Sequence, residues 1–293
     1  MSSRATILAP AKVNLALHVY GRRSDGYHEI DTLFQAIDLC DEVEVELRGE
    51  GVVVEVEGAD LGPQEENLAY RAAVRFAEAA GSEQGVRVRL AKRIPHGAGL
   101  GGGSSDAAAV LRCLSELLGG VDAPRLQAIG AALGSDVPFF LGDSPLARGM
   151  GRGEVLQELP PLPAADLVLL SPPVHVATAE AYGALAASRV GDSAAGDPRG
   201  LVSLGTWREL GTVAENDFEP VMAGSHAEIG RALAALRAEG ARPALMTGSG
   251  STCFGFFSGA AAAKEAAATL AADLGWPSIA VRTLDRLPDV RRV

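Results

Sequence analysis

Pro95-His96-Gly97-Ala98-Gly99-Leu100-Gly101-Gly102-Gly103-Ser104-Ser105 sets five glycines within seven positions, directly ahead of Ala108, Leu111, Leu114 and Leu118 at helical spacing. Without Cβ atoms, the backbone N–H groups of such a loop can converge inward. The start of the following helix adds partial positive charge, so phosphate is its natural guest. Ser104 or Ser105 is the expected cap of that helix. No lysine follows the glycines, which excludes a Walker A loop. Residues 92–96, with a proline, separate the preceding strand from the glycines, and Glu116 comes too early for a ribose carboxylate, which excludes the dinucleotide fingerprint. The loop therefore holds phosphate through amides, and positive charge has to come from elsewhere.

Outward from the loop, alternation predicts strands at 12–20, 43–47, 52–56 and 86–90, and a helix from Asn67 to Ala80 closed by Gly81. A helix from Pro124 to Gly134, a short one near Asp136 and Pro138, and strand-like pieces around Arg148 and Glu154 follow. Pro160, Pro161 and Pro163 interrupt all regular structure and mark a boundary. Beyond it come a strand at 167–170, a helix capped by Thr178 and a mobile loop at 188–206. Ser225 and Glu228 form a capping box for a helix ending at Gly240. Strands at 244–247 and 253–257, an Ala-rich helix at 260–274 and a strand at 279–283 close the chain. The expected class is α+β, in two α+β halves spanning 1–160 and 161–293.

The 293 residues carry 26 basic and 37 acidic side chains, a net charge of −11, which argues against nucleic-acid or anionic-membrane partners. Only Lys12, Lys92 and Lys264 are lysines; arginine takes every other basic position. Cys40, Cys113 and Cys253 are odd in number and lack metal-ligand spacing, as reduced thiols in a cytoplasmic chain would be. Neither a secretory leader nor a membrane span is visible.

Pro10-Ala11-Lys12-Val13-Asn14, the glycine loop and Thr247-Gly248-Ser249-Gly250-Ser251-Thr252 occur in the order of three motifs of the GHMP family of small-molecule kinases. The chain resembles that family over essentially its whole length. Arg23-Ser24-Asp25-Gly26-Tyr27-His28 and Gly134-Ser135-Asp136-Val137-Pro138 narrow the resemblance to the branch that phosphorylates a cytidine-diphosphate-linked methylerythritol in isoprenoid-precursor synthesis. The resemblance implies a two-domain fold: a ribosomal-protein-S5-like, ATP-binding N-terminal domain and a ferredoxin-like C-terminal domain. It also implies ATP and Mg²⁺, a small-molecule substrate, and a monomer or homodimer.

By the same resemblance Asp136 is the catalytic base and Lys12 its neighbouring cation. Residues Pro95 to Ser105 with Asn67 and Leu68 bind ATP, and Ser104 is the protein group nominated for Mg²⁺. Asn14, Tyr27, His28, Lys92, Thr178 and Tyr182 contact the substrate. His96 stands where the family often has an apolar residue. On the residues alone, Asp136 and Thr178 also read as helix caps, Lys12 as a solvated strand lysine and 247–252 as a β-turn.

Overall fold

The structure, a computed structural model, describes residues 3–24, 26–189 and 205–293. Asp25 and most of the loop expected at 188–206 lie outside the described residues.

Two long strands organise the first half. β1 (Arg4–Arg22) and β2 (His28–Leu47) run antiparallel, and β3 (Val52–Glu57) leads to α1 (Leu68–Ala80). The Asn67 side chain accepts from Ala69 N at 2.9 Å to start α1, and Gly81, at φ 61°, ends it, as expected. β4 (Val86–Ala91) enters the glycine loop, which opens α2 (Gly102–Leu118). Gly101 occupies the N-cap of α2 in the left-handed region, so Ser104 and Ser105 lie inside the first turn and do not cap it. α3 (Ala123–Leu133), α4 (Val137–Leu141), β5 (Leu146–Gly151) and β6 (Val155–Glu158) complete this half.

The second half runs β7 (Asp166–Leu170), α5 (Thr178–Ser188), α6 (Leu210–Val213), α7 (Phe218–Ser225), α8 (Ala227–Ala238), β8 (Ala244–Met246), β9 (Cys253–Phe256), α9 (Ala260–Leu274) and β10 (Ser278–Arg282). Its sheet order, β10-β7-β9-β8, is all antiparallel and ferredoxin-like. β11 (Arg291–Arg292) returns to pair with β1.

In this half two expected caps are absent. α5 begins with Ala177 at its N-cap, which puts Thr178 inside the helix. The Ser225–Glu228 box does not form, because Ser225 still belongs to α7 and its hydroxyl donates to the Val221 carbonyl at 3.0 Å. The short helices α6 and α7 and strand β11 had no signal in the sequence reading.

β1 runs through all three apolar clusters of the molecule. Ala5, Ile7 and Ala9 pack with α1 and α2. A register shift between Pro10 and Ala11 then exchanges the faces of the strand. Ala11, Val13 and Leu15 consequently meet Leu167, Leu169 and Phe254 of the second sheet, while Lys12 and Asn14 turn toward the start of α2. Farther on, Leu17 and Val19 join the second half's own core with Phe218 and Met222. The site lies where this strand, the glycine loop and the second half meet.

Candidate active site

Lys12 is 3% exposed, and its ammonium donates to Asn14 Oδ1 at 2.6 Å and to the Gly99 carbonyl at 2.9 Å. Asp136 Oδ2 lies 3.8 Å away. Burial pushes the Lys12 pKa below the ordinary lysine range, and the Asp136 charge pulls it only partly back. Asp136 sits at the N-cap of α4, yet its carboxylate makes no capping bond. It is left partly exposed.

The loop is fitted to this lysine at backbone level. Lys12 N donates to the Leu100 carbonyl at 2.9 Å, and a Cβ on Gly101 would lie 3.1 Å from Lys12 Cγ. Gly97, Gly99 and Gly101 all have φ between 65° and 76°. A Cβ on Gly99 would come within 2.3 Å of the Thr247 carbonyl oxygen. Inside the first turn of α2, the buried Ser105 hydroxyl has no partner. A cradle of left-handed glycines at a helix start, with a buried ammonium beside it, suits a polyphosphate.

The second glycine run closes the arrangement from the other half. Thr247 Oγ1 accepts from Asn14 N at 3.1 Å and stands 3.2 Å from Asn14 Oδ1 and 3.3 Å from the Gly99 carbonyl. Asn216 Nδ2 donates to the carbonyls of Met246 and Gly248 at 2.7 and 2.9 Å, holding that turn. Asn14 Nδ2 donates to Thr32 Oγ1 at 2.8 Å. Thr32, Asn216 and the Thr247 hydroxyl were not singled out from the sequence. An Asn-Asp pair with no obvious surface role, at 216–217, was the one available signal.

Of the expected base-binding residues, His28 and Tyr182 are brought together. His28 stacks on Tyr182 at 4.9 Å between centroids, and Tyr182 meets Phe218 edge-on at 4.8 Å. Burial and then the Asp136 charge push the Tyr182 hydroxyl up, so Tyr182 stands within the field of that carboxylate. Tyr27 is 55% exposed with the Arg152 guanidinium over its ring. Thr178 Oγ1 faces Ser249 Oγ at 3.3 Å; Pro95 is half-buried and His96 exposed, and a Cβ on Gly97 would strike the His175 ring. Leu68 approaches the start of α2 near Gly103, while the Asn67 side chain is engaged in its cap.

Lys92 does not join this group. Its side chain is 4% exposed and its ammonium lies 2.5 Å from both Asp41 Oδ2 and Asp106 Oδ2, so the substrate contact expected of it is replaced by a buried ion cluster. Burial lowers the Lys92 pKa, but the carboxylates of Asp106 and Asp41 outweigh it and hold the ammonium charged. Burial pushes the Asp106 carboxyl up to about 7 against the pull of Lys92.

Residues 67–144 match the family description "GHMP kinases N terminal domain", and residues 200–274 match "GHMP kinases C terminal". The 4-diphosphocytidyl-2-C-methyl-D-erythritol kinase of Geobacter sp. (strain M21) is 44% identical over 282 residues, 95% of this chain and 98% of that protein. The chain belongs to the GHMP kinases. A second kinase of the same name, from Anaeromyxobacter sp. (strain K), is 44% identical over 271 residues, 90% of this chain and 84% of that protein. Among solved structures, a 4-(cytidine 5'-diphospho)-2C-methyl-D-erythritol kinase superposes with a TM-score of 0.78 at 39% identity, covering 95% of this chain and 98% of that one. The homoserine kinase of Cytophaga hutchinsonii shares the fold, with a TM-score of 0.72 at 20% identity and coverage of 99% and 98%. Among the described residues of this GHMP kinase, no helix is long and apolar enough to cross a membrane.

Proposed function

We propose that this protein transfers the γ-phosphoryl group of ATP to the 2-hydroxyl of 4-diphosphocytidyl-2-C-methyl-D-erythritol. The observation that carries the chemistry is the Lys12–Asp136 pair, 3.8 Å apart at the mouth of the glycine loop. Phosphoryl transfer is mainly positioning and charge neutralisation. Asp136 accepts the hydroxyl proton as the oxygen attacks. Lys12, oriented by Asn14 and the Gly99 carbonyl, faces that carboxylate and meets the charge of the transferring group. The loop amides from Gly97 to Gly103 orient the triphosphate, and Asn67 with Leu68 flanks the nucleotide.

Mg²⁺, when bound, supplies charge neutralisation between the phosphates. Among the described residues there is no group of three or more His, Cys, Asp or Glu side chains able to hold a metal. Ser104, in the first turn of α2, is the protein group that would hold the ion.

The substrate assignment rests on the relatives' names and on the stacked rings of His28 and Tyr182, an aromatic surface suited to a pyrimidine. A cytosolic setting accords with the three free thiols. The test is phosphorus NMR of purified protein with Mg-ATP and the cytidine substrate: a new phosphomonoester signal is expected. Folded protein that leaves the substrate untouched, and is not thermally stabilised by cytidine diphosphate, overturns the reading.

A further inference from the structure

The buried cluster of Asp41, Lys92 and Asp106 is left unused by the mechanism above. Asp41 is on β2, Lys92 follows β4, and Asp106 is in α2. Asp41 Oδ1 accepts from Arg93 N at 2.5 Å and from Ile94 N at 2.9 Å, and its other oxygen accepts from Lys92. Lys92 in turn donates to Asp106. The glycine loop is the segment between Ile94 and Asp106, so the cluster ties the chain entering the loop to the helix leaving it. A Cβ on Gly102 would lie 3.6 Å from Asp41 Oδ2, which puts the cluster directly beneath the helix start.

We propose that Asp41, Lys92 and Asp106 form a clamp that sets the distance and angle between the two ends of the glycine loop, making them positioning residues for the triphosphate. This rests on the proposed nucleotide site. The proposal explains why the cluster is ionic. An apolar trio of similar volume would fill the same space with no desolvation cost, but it would not fix a direction. Three side chains bonded in sequence hold the backbone of Arg93 and Ile94 at a set offset from the helix. Asp106 uses one oxygen on Lys92 and leaves Oδ1 buried without a partner, a cost that follows if the helix position is imposed by the clamp. The loop itself has little means of holding its shape, since glycine backbone is the least restricted of all. Its middle is pinned by Lys12 and Thr247, and its ends by this cluster.

The experiment measures binding of a Mg²⁺-loaded non-hydrolysable ATP analogue and, separately, of cytidine 5'-diphosphate to wild type, Asp106→Ala and Asp106→Asn by calorimetry. The alanine variant is expected to bind the analogue about tenfold or more weakly while holding cytidine diphosphate within about twofold. The asparagine variant, whose carbonyl still accepts from Lys92, is expected to recover most of that loss. Unchanged analogue binding in the alanine variant, an equal loss of both ligands, or no recovery with asparagine each overturns the clamp. If the alanine variant does not fold, Asp106→Ser, too short to reach Lys92, takes its place under the same criteria. Wild-type protein that fails to bind the analogue refutes the nucleotide site itself, a result distinct from any of these.

Discussion

Lys12 commits two ammonium donors to Asn14 and Gly99 before it faces Asp136, so its third direction is fixed by its own chain. A guanidinium is a planar fork that cannot reproduce this compact point charge under the Phe34 ring and beside Gly101. Lys12→Arg is expected to lower kcat about a hundredfold or more, with binding of the ATP analogue far less affected. The ammonium is the working form and burial lowers its pKa. Turnover should therefore fall as pH rises through a value below the ordinary lysine range, and a basic limb no lower than that of a free lysine would contradict the buried assignment. Asp136→Asn should lower kcat about 10²- to 10⁴-fold while cytidine diphosphate still binds, read by steady-state kinetics and calorimetry. The scarcity of lysine pointed to Lys12 and Lys92, and both are buried. It did not distinguish the lysine that meets the proposed substrate from the one that braces the loop, because Asp41 and Asp106 reach Lys92 only through the fold.

At the level of elements, signals written within a few residues were legible and those written across the sheet were not. Asn67 and Gly81 bracket α1 as their local chemistry requires. The Ala-rich α9 spans Ala260–Leu274, the range its composition indicates. The caps expected at Ser104 or Ser105, Thr178 and Ser225 failed because each residue lies inside its helix: α2 starts from the left-handed Gly101, α5 from Ala177, and Ser225 still belongs to α7. Glycine positions in the loop differ in what opposes them, which gives a contrast to test. Gly99→Ala drives a Cβ to 2.3 Å from a backbone oxygen of the other half, whereas Gly97→Ala meets only the exposed His175 ring at 2.9 Å. Both pay the positive-φ penalty, so kcat/KM for ATP should fall more in the first, about tenfold or more beyond the second. Equal effects would mean that the contact between the halves does not shape the cradle.

For the whole molecule, the two α+β halves follow from the order of strands and helices, and we propose the division near residue 160, between β6 and β7. What the pattern did not reveal is how closely the halves are sewn together. Ala11, Val13 and Leu15 of β1 lie between the sheets against Leu167, Leu169 and Phe254. The face exchange at Pro10 and Ala11 that puts them there leaves no mark in an alternating sequence. Leu15→Ala should cost about 2–5 kcal/mol, and calorimetry should show one transition moving as a unit. Two transitions with only the first shifted would refute a shared core.

The passage of β1 through three clusters bears on how the chain is made. Leu17, Val19 and Ile30 leave the ribosome early, yet their partners in the second core include Ala263, Ala266 and Leu270 near the far end of the chain. These apolar side chains wait through most of synthesis for the surface that will cover them. Folding that depends on such distant pairings is slow and exposed to aggregation. A ribosome stalled after residue 165 would hold a first sheet with its far end uncovered, a segment for a chaperone to shield until the last helix arrives.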